Sequence, residues 1–181
     1  EGLHQGRELG EWQIFTLIVD KLMLRDWRRT PDLMPAQRLR VLQDLAVLLA
    51  RRENRHIEES AFRDFVKEAL RDELRRREAQ GIMDPGEMLF QDIRSSTMLT
   101  RTSGLRTGWL FSHNSLREFL LVQRLTHNYL HGAPPVLGVT ISDAMQSFVR
   151  SMDIPSIEKL AGALGEAWPN RRRSKMNSSQ M

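Results

Sequence analysis

The tightest constraint on this chain's folding lies in Gly108-Trp109-Leu110-Phe111-Ser112-His113-Asn114-Ser115-Leu116-Arg117-Glu118-Phe119-Leu120. A short β-prone apolar run ends there and an amphipathic helix starts with almost no room between them. Ser115 and Glu118 have the S-x-x-E spacing of a capping box, in which the hydroxyl accepts from the N–H of Glu118 and the carboxylate reaches back to that of Ser115. This reading starts the helix at Ser115 and carries it to about Leu130, burying Leu116, Phe119, Leu120 and Val122. His131-Gly132-Ala133-Pro134-Pro135 ends it. His113 is thereby placed beside a helix N-terminus, where free N–H groups and the helix dipole favour an anion.

Upstream, apolar spacing predicts three helices. Residues 11–25 carry Trp12, Phe15, Ile18, Val19 and Leu22 on one face. Thr30-Pro31 and Met34-Pro35 punctuate a loop. Residues 36–51 place Leu39, Leu42, Leu45, Ala46 and Leu49 on a stripe that Val41 and Leu48 widen, which suggests a central helix. Ser60 is expected to cap a third helix over 61–78, with Phe62, Phe65, Val66, Ala69 and Leu70 inward. Its opposite face is rich in Arg and Glu, the pattern of a solvated surface. A short helical patch follows at 87–95. Thr97-Met98-Leu99-Thr100-Arg101 and Gly108–Phe111 then suggest a small hairpin. Beyond residue 131, helices are expected around 140–151 and 155–168, the second with Pro155 in its first turn.

The expected fold is mainly α, a winged-helix-like helical domain with a small β-hairpin, followed by a partial helical extension. The domain reading is a winged-helix domain over 1–131, a helical extension over 132–168 and a disordered basic tail over 169–181. A chain of 181 residues with 40% hydrophobic and 28% charged residues can bury one core. No apolar run approaches the roughly 20 residues that span a bilayer, and no signal peptide opens the chain. Absence of Cys removes disulfides and thiolate metal sites and fits a reducing compartment. The chain opens at Glu1 without an initiator Met, and we read it as a piece of a longer protein.

The formal charge is +4, and Lys occurs only at Lys21, Lys67, Lys159 and Lys175, so Arg supplies most of the positive charge. The basic segments 25–29 and 71–77 are interleaved with acids, which weighs against a nucleic-acid partner, whose phosphates call for a basic stripe. The chain has no G-x-x-x-x-G-K-[ST] loop, and Gly104-Leu105-Arg106-Thr107-Gly108 lacks the lysine and spacing of a phosphate cradle. His127 and His131 stand i,i+4 apart but lack a third metal ligand in sequence. We therefore expect no catalytic residues, no metal and no enzyme activity in this chain, and assign Phe111, Trp109 and Phe119 to the core.

Several segments together resemble a known group. Phe111-Ser112-His113-Asn114-Ser115-Leu116-Arg117-Glu118-Phe119-Leu120-Leu121-Val122 is similar to the F-x-H-x-[ST]-[FL]-x-E-[FY] segment of NACHT-type STAND NTPases, the group that contains NOD-like receptors and bacterial relatives. Arg38 to Ala46 resembles the L-x-x-L-A helix that precedes it, Ile93 to Leu99 the lead into the wing, and Ile14 to Trp27 a helix ending in L-x-R-D-W. The likeness covers about residues 11–130. Leu121-Val122 replaces small alanines and Leu116 a frequent aromatic.

The resemblance implies a regulatory module that follows a P-loop nucleotide-binding domain. In that family the winged-helix histidine contacts the β-phosphate of ADP and holds a closed state, which exchange for ATP releases for oligomerisation. The matching residue is His113, the one cofactor-contacting position the resemblance carries over. The implied cofactor is ADP/ATP in the parent protein, with none bound by this chain alone. Implied partners are the P-loop domain of the parent chain and, in a homo-oligomer, further copies. A cytoplasmic location and bacterial defence or signalling are further implications. Two other readings stay open. One is a winged-helix DNA binder using 61–78 as recognition helix with Arg101 and Arg106 in the wing; the other is a ligand-free helical adaptor.

Overall fold

The computed structural model describes residues 9–102, 107–132 and 138–152. Chain order begins with helices α1 (Glu11–Arg29) and α2 (Pro35–Ala50), the short strand β1 (Ile57–Glu58), and helices α3 (Glu59–Ala69), α4 (Arg71–Ala79) and α5 (Pro85–Arg94). Strands β2 (Leu99–Arg101) and β3 (Gly108–Phe111) follow, then helices α6 (Asn114–Leu130) and α7 (Asp143–Arg150). The fold is mainly helical with a three-stranded antiparallel sheet in the order β1-β3-β2. None of the described helices is long and apolar enough to cross a membrane.

The hairpin pairs Leu99 with Phe111, Thr100 with Leu110 and Arg101 with Trp109. The third strand was not anticipated. β1 is two residues long, too short to show alternation, and exists only through its pairing of Ile57 with Trp109 and Glu58 with Gly108. Gly108 is what allows the close approach: a Cβ there would lie 2.8 Å from His56 Cδ2 and 2.9 Å from the Ile57 carbonyl oxygen.

Helix α1 runs four residues beyond the expected end. Its inner face holds Val19, Met23 and Asp26, while Ile18 stays exposed. The Arg-rich tail of this helix hides a buried carboxylate. Asp26 Oδ2 accepts from the Ser96 hydroxyl (3.1 Å), the Thr97 N–H (3.0 Å) and the Thr97 hydroxyl (3.3 Å), tying α1 to the entrance of β2. Asp26→Ala would leave the buried Ser96 hydroxyl and the half-buried Thr97 donors without this acceptor, so it should lower stability by about 1–3 kcal/mol in urea unfolding.

The single helix expected over 61–78 is two. It starts at Glu59 with Glu58 in the cap position, so Ser60 lies within the first turn and is not the cap. It breaks at Leu70, with φ −114° and ψ 24°, where neither Gly nor Pro marks the sequence. The redirection docks α4 on the α1–α2 loop: the Arg77 guanidinium donates to the Asp32 carbonyl, and its Nε to Glu73 at 2.8 Å. Tertiary contacts override local helical propensity there. Of the expected inward face, Phe62, Val66 and Leu70 are buried, and Ala69 is exposed.

α2 and α6 form the central pair. α2 buries Val41, Leu42, Leu45, Ala46 and Leu49 as its stripe predicts, together with Arg38. Every residue from Leu116 to Val122 is buried, so the N-terminal half of α6 is enclosed on all sides. A polar seam joins the two helices through Arg124 Nε to Asp44 at 2.7 Å and Gln43 to Gln123 at 3.2 Å. The expected helix near 140–151 is α7, with Ser142 as its cap, accepting from Met145 N–H at 3.2 Å. The helix expected over 155–168 and the tail over 169–181 lie outside the described residues.

Candidate functional site

The β3-to-α6 connection is only Ser112-His113. The Ser112 N–H donates to the Met98 carbonyl at 2.8 Å, extending strand-like pairing to the edge of the helix. The His113 carbonyl accepts the Arg117 N–H at 3.3 Å, the first i→i−4 bond of α6. His113 therefore occupies the cap position, one residue before Asn114. This corrects the capping-box reading: Ser115 is the second helical residue, not the cap, and its pairing with Glu118 is out of register. The local signal was right about a helix start and wrong by two residues, because pairing with Met98 fixes where the strand stops.

His113, Asn114 and Ser115 are all exposed. The first-turn N–H groups of a helix have no intrahelical acceptor, so this corner presents an imidazole beside free donors. Its dipole favours negative charge. Glu118 is buried and lies 3.8 Å from the Arg117 guanidinium, an ion pair within the helix. Trp109, Phe111 and Phe119 are buried in the core as expected.

The residues around this corner that sequence reading missed are basic. Where α2 ends, Arg51, Arg52 and Arg55 line a cleft of about 350 Å³ whose other wall includes Arg117 and Glu118. Arg55 has φ +51°, a left-handed conformation uncommon for a residue with a side chain. Arg117 is a buried side chain whose Nε has no hydrogen-bond partner. Its position after Leu116 in an apolar stretch was the available signal, since a cation between buried neighbours needs compensation.

The other candidates stay apart from this corner. The rings of His127 and His131 lie 4.1 Å apart near the end of α6, and His131 Nδ1 is 2.8 Å from the His127 carbonyl. Burial pushes the His127 pKa down, and neighbouring His131, Arg124 and Arg40 push the same way. Among the described residues, no group of three His, Cys, Asp or Glu is placed to hold a metal ion. Arg101 of β2 donates to Glu59 at 2.8 Å, and Arg106 lies outside the described residues. Glu59 also draws in Arg94 at 3.7 Å, and Arg63 pairs with Glu87.

Among protein-family models, curated proteins and solved structures, none matches this chain.

Proposed function

We propose that this chain is the regulatory, interaction-type module of a larger NACHT-type STAND ATPase, with His113 as its contact to the phosphates of ADP. The observation that carries this reading is the exposed imidazole in the cap position of α6, directly after β3. A ring N–H can donate to a phosphate oxygen, and the helix end adds a favourable field. A charge-assisted hydrogen bond of this type is worth about 1.5–3 kcal/mol. That is about ten- to hundredfold in an equilibrium, enough to bias a two-state switch and still permit exchange.

A second feature suits a module that packs on a neighbouring domain. Ile14, Leu17, Ile18 and Leu24 are exposed along α1, an apolar strip with no cover among the described residues. The DNA-binding reading is weaker. Its recognition element would be the acid-laced α3–α4 pair, and the described basic side chains near the wing are engaged by Glu59 and Glu87.

The test is His113→Ala in the full-length parent protein. ADP retention should fall about ten- to hundredfold, with a matching rise in basal signalling. Measuring nucleotide content after purification checks it. Unchanged ADP occupancy would overturn the assignment of His113.

A further inference from the structure

Helix α1 carries an apolar strip on the side away from the core. Val19, Met23 and Asp26 are buried, while Ile14, Leu17, Ile18 and Leu24 are 42%, 50%, 40% and 43% exposed. Their i, i+3, i+4 spacing, continued by Lys21 and Leu24, lines them up over about 15 Å of helix. The described residues reach Met152 at one end of this strip. There the Ser151 hydroxyl accepts the Trp12 N–H at 3.0 Å, two residues before Ile14. Residues 155–168 lie outside the described residues, and their sequence repeats the pattern of the strip. Ile157, Leu160, Ala161 and Leu164 stand at i, i+3, i+4 and i+7. As a helix these residues would be about 21 Å long, enough to cover the strip. The charges are complementary as well. Asp153, Glu158 and Glu166 against Lys159 make the segment acidic, whereas in the second half of α1 the exposed Lys21, Arg25, Arg28 and Arg29 outnumber Asp20.

We propose that residues 155–168 form a helix that lies along the outer face of α1, with Ile157, Leu160, Ala161 and Leu164 against Ile14, Leu17, Ile18 and Leu24. Asp153 and Ile154 separate Met152 from Pro155. The Cα steps across them span up to about 10 Å, the separation of two packed helix axes. Apolar burial holds the contact, and an acidic helix on a basic one adds attraction. This docking does not depend on the His113 assignment. A neighbouring domain that packs on α1 must first displace the segment, so the chain carries its own competitor for that face.

The experiment is hydrogen exchange read by mass spectrometry on the 181-residue chain, with sedimentation velocity alongside. A helix this short is marginal alone in water, so its amides are protected only when it is docked. Slow exchange over 155–168 is expected in the wild-type monomer. The double variant Leu17→Asp with Ile18→Asp should speed that exchange at least about tenfold, because a carboxylate is costly on a covered apolar face. Both side chains are exposed, so α2 and α6 should keep their protection. The chain has no Cys of its own, so Leu17→Cys with Leu160→Cys should be bridged within one chain by a short bismaleimide. Leu125→Cys with Leu160→Cys should not be bridged, since Leu125 lines the apolar groove between α6 and α7. Fast exchange over 155–168 in the wild type overturns the proposal, as does protection that survives the two aspartates. Bridging in the Leu125 pair alone overturns it too, and so does a wild-type dimer that the aspartates turn into a monomer.

Discussion

Arg38→Ala should cost the fold about 3–5 kcal/mol, the range for breaking a buried ion pair from one side. Arg38 and Asp92 both have fully buried side chains. The Arg38 Nε donates to Asp92 at 2.8 Å, and its terminal nitrogen donates to the Thr30 carbonyl at 2.7 Å and the Thr30 hydroxyl at 2.9 Å. Asp92 also accepts the Leu33 N–H at 3.1 Å. The pair therefore closes the α1–α2 loop over α5. Removing the guanidinium strands a carboxylate in the core.

The pH dependence sharpens this expectation. Burial raises the Asp92 pKa even against the pull of Arg38. A carboxyl with a raised pKa binds its proton more tightly in the folded chain, so its contribution to stability falls as pH rises from the ordinary aspartate range towards the raised value. Without Arg38 the raise grows. The deficit of Arg38→Ala should thus be larger at pH 7 than near about pH 4, where a neutral Asp92 is cheaper to bury. Urea unfolding at both pH values checks it. Pairing Arg38→Met with Asp92→Leu should recover part of the loss, because no carboxylate is then stranded, while the buried Leu33 N–H loses its acceptor.

Phe119→Ala is the second large effect, again about 3–5 kcal/mol, for a different reason. Phe119 is fully buried and its ring touches three others: Trp12 at 4.8 Å, Phe15 at 5.5 Å and Phe148 at 5.3 Å between centroids. Phe15 and Phe148 also meet edge-on at 4.8 Å. This cluster is where α1, α6 and α7 come together. Other links between α1 and the end of α7 are peripheral, Trp12 N–H to the Ser151 hydroxyl at 3.0 Å and the Ser147 hydroxyl to Glu11 at 2.6 Å among the described residues. Truncating the ring should lower the denaturation midpoint and expose the amides of α1 and α7 to hydrogen exchange before those of α2. Uniform loss of protection across all four helices would contradict this division.

The helices were readable where one apolar face repeats over several turns, as in α2, because burial on a single side leaves a period of 3.6 residues. Two kinds of feature escaped. β1 and the break at Leu70 are created by partners distant in sequence, Trp109 for the first and Asp32 for the second, and carry no local mark. Buried charges were also missed. The partners of Asp26, Arg38 and Asp92 lie 70, 54 and 54 residues away in sequence, and Arg117 sits within an apolar stretch. For the candidate site, periodicity and the glycine-flanked apolar run identified His113 and the helix beside it. They did not show the arginines across the cleft, because Arg51, Arg52 and Arg55 meet Arg117 only after α2 packs on α6.

The brevity of the Ser112-His113 connection has a mechanical consequence. A long loop between sheet and helix would absorb a pull on the imidazole as local flexing. Here one side of His113 is anchored through Ser112 to Met98, and the other is the first bond of a helix enclosed over seven successive residues. Force applied at that ring has no slack to take up. It moves hairpin and helix together, as one lever.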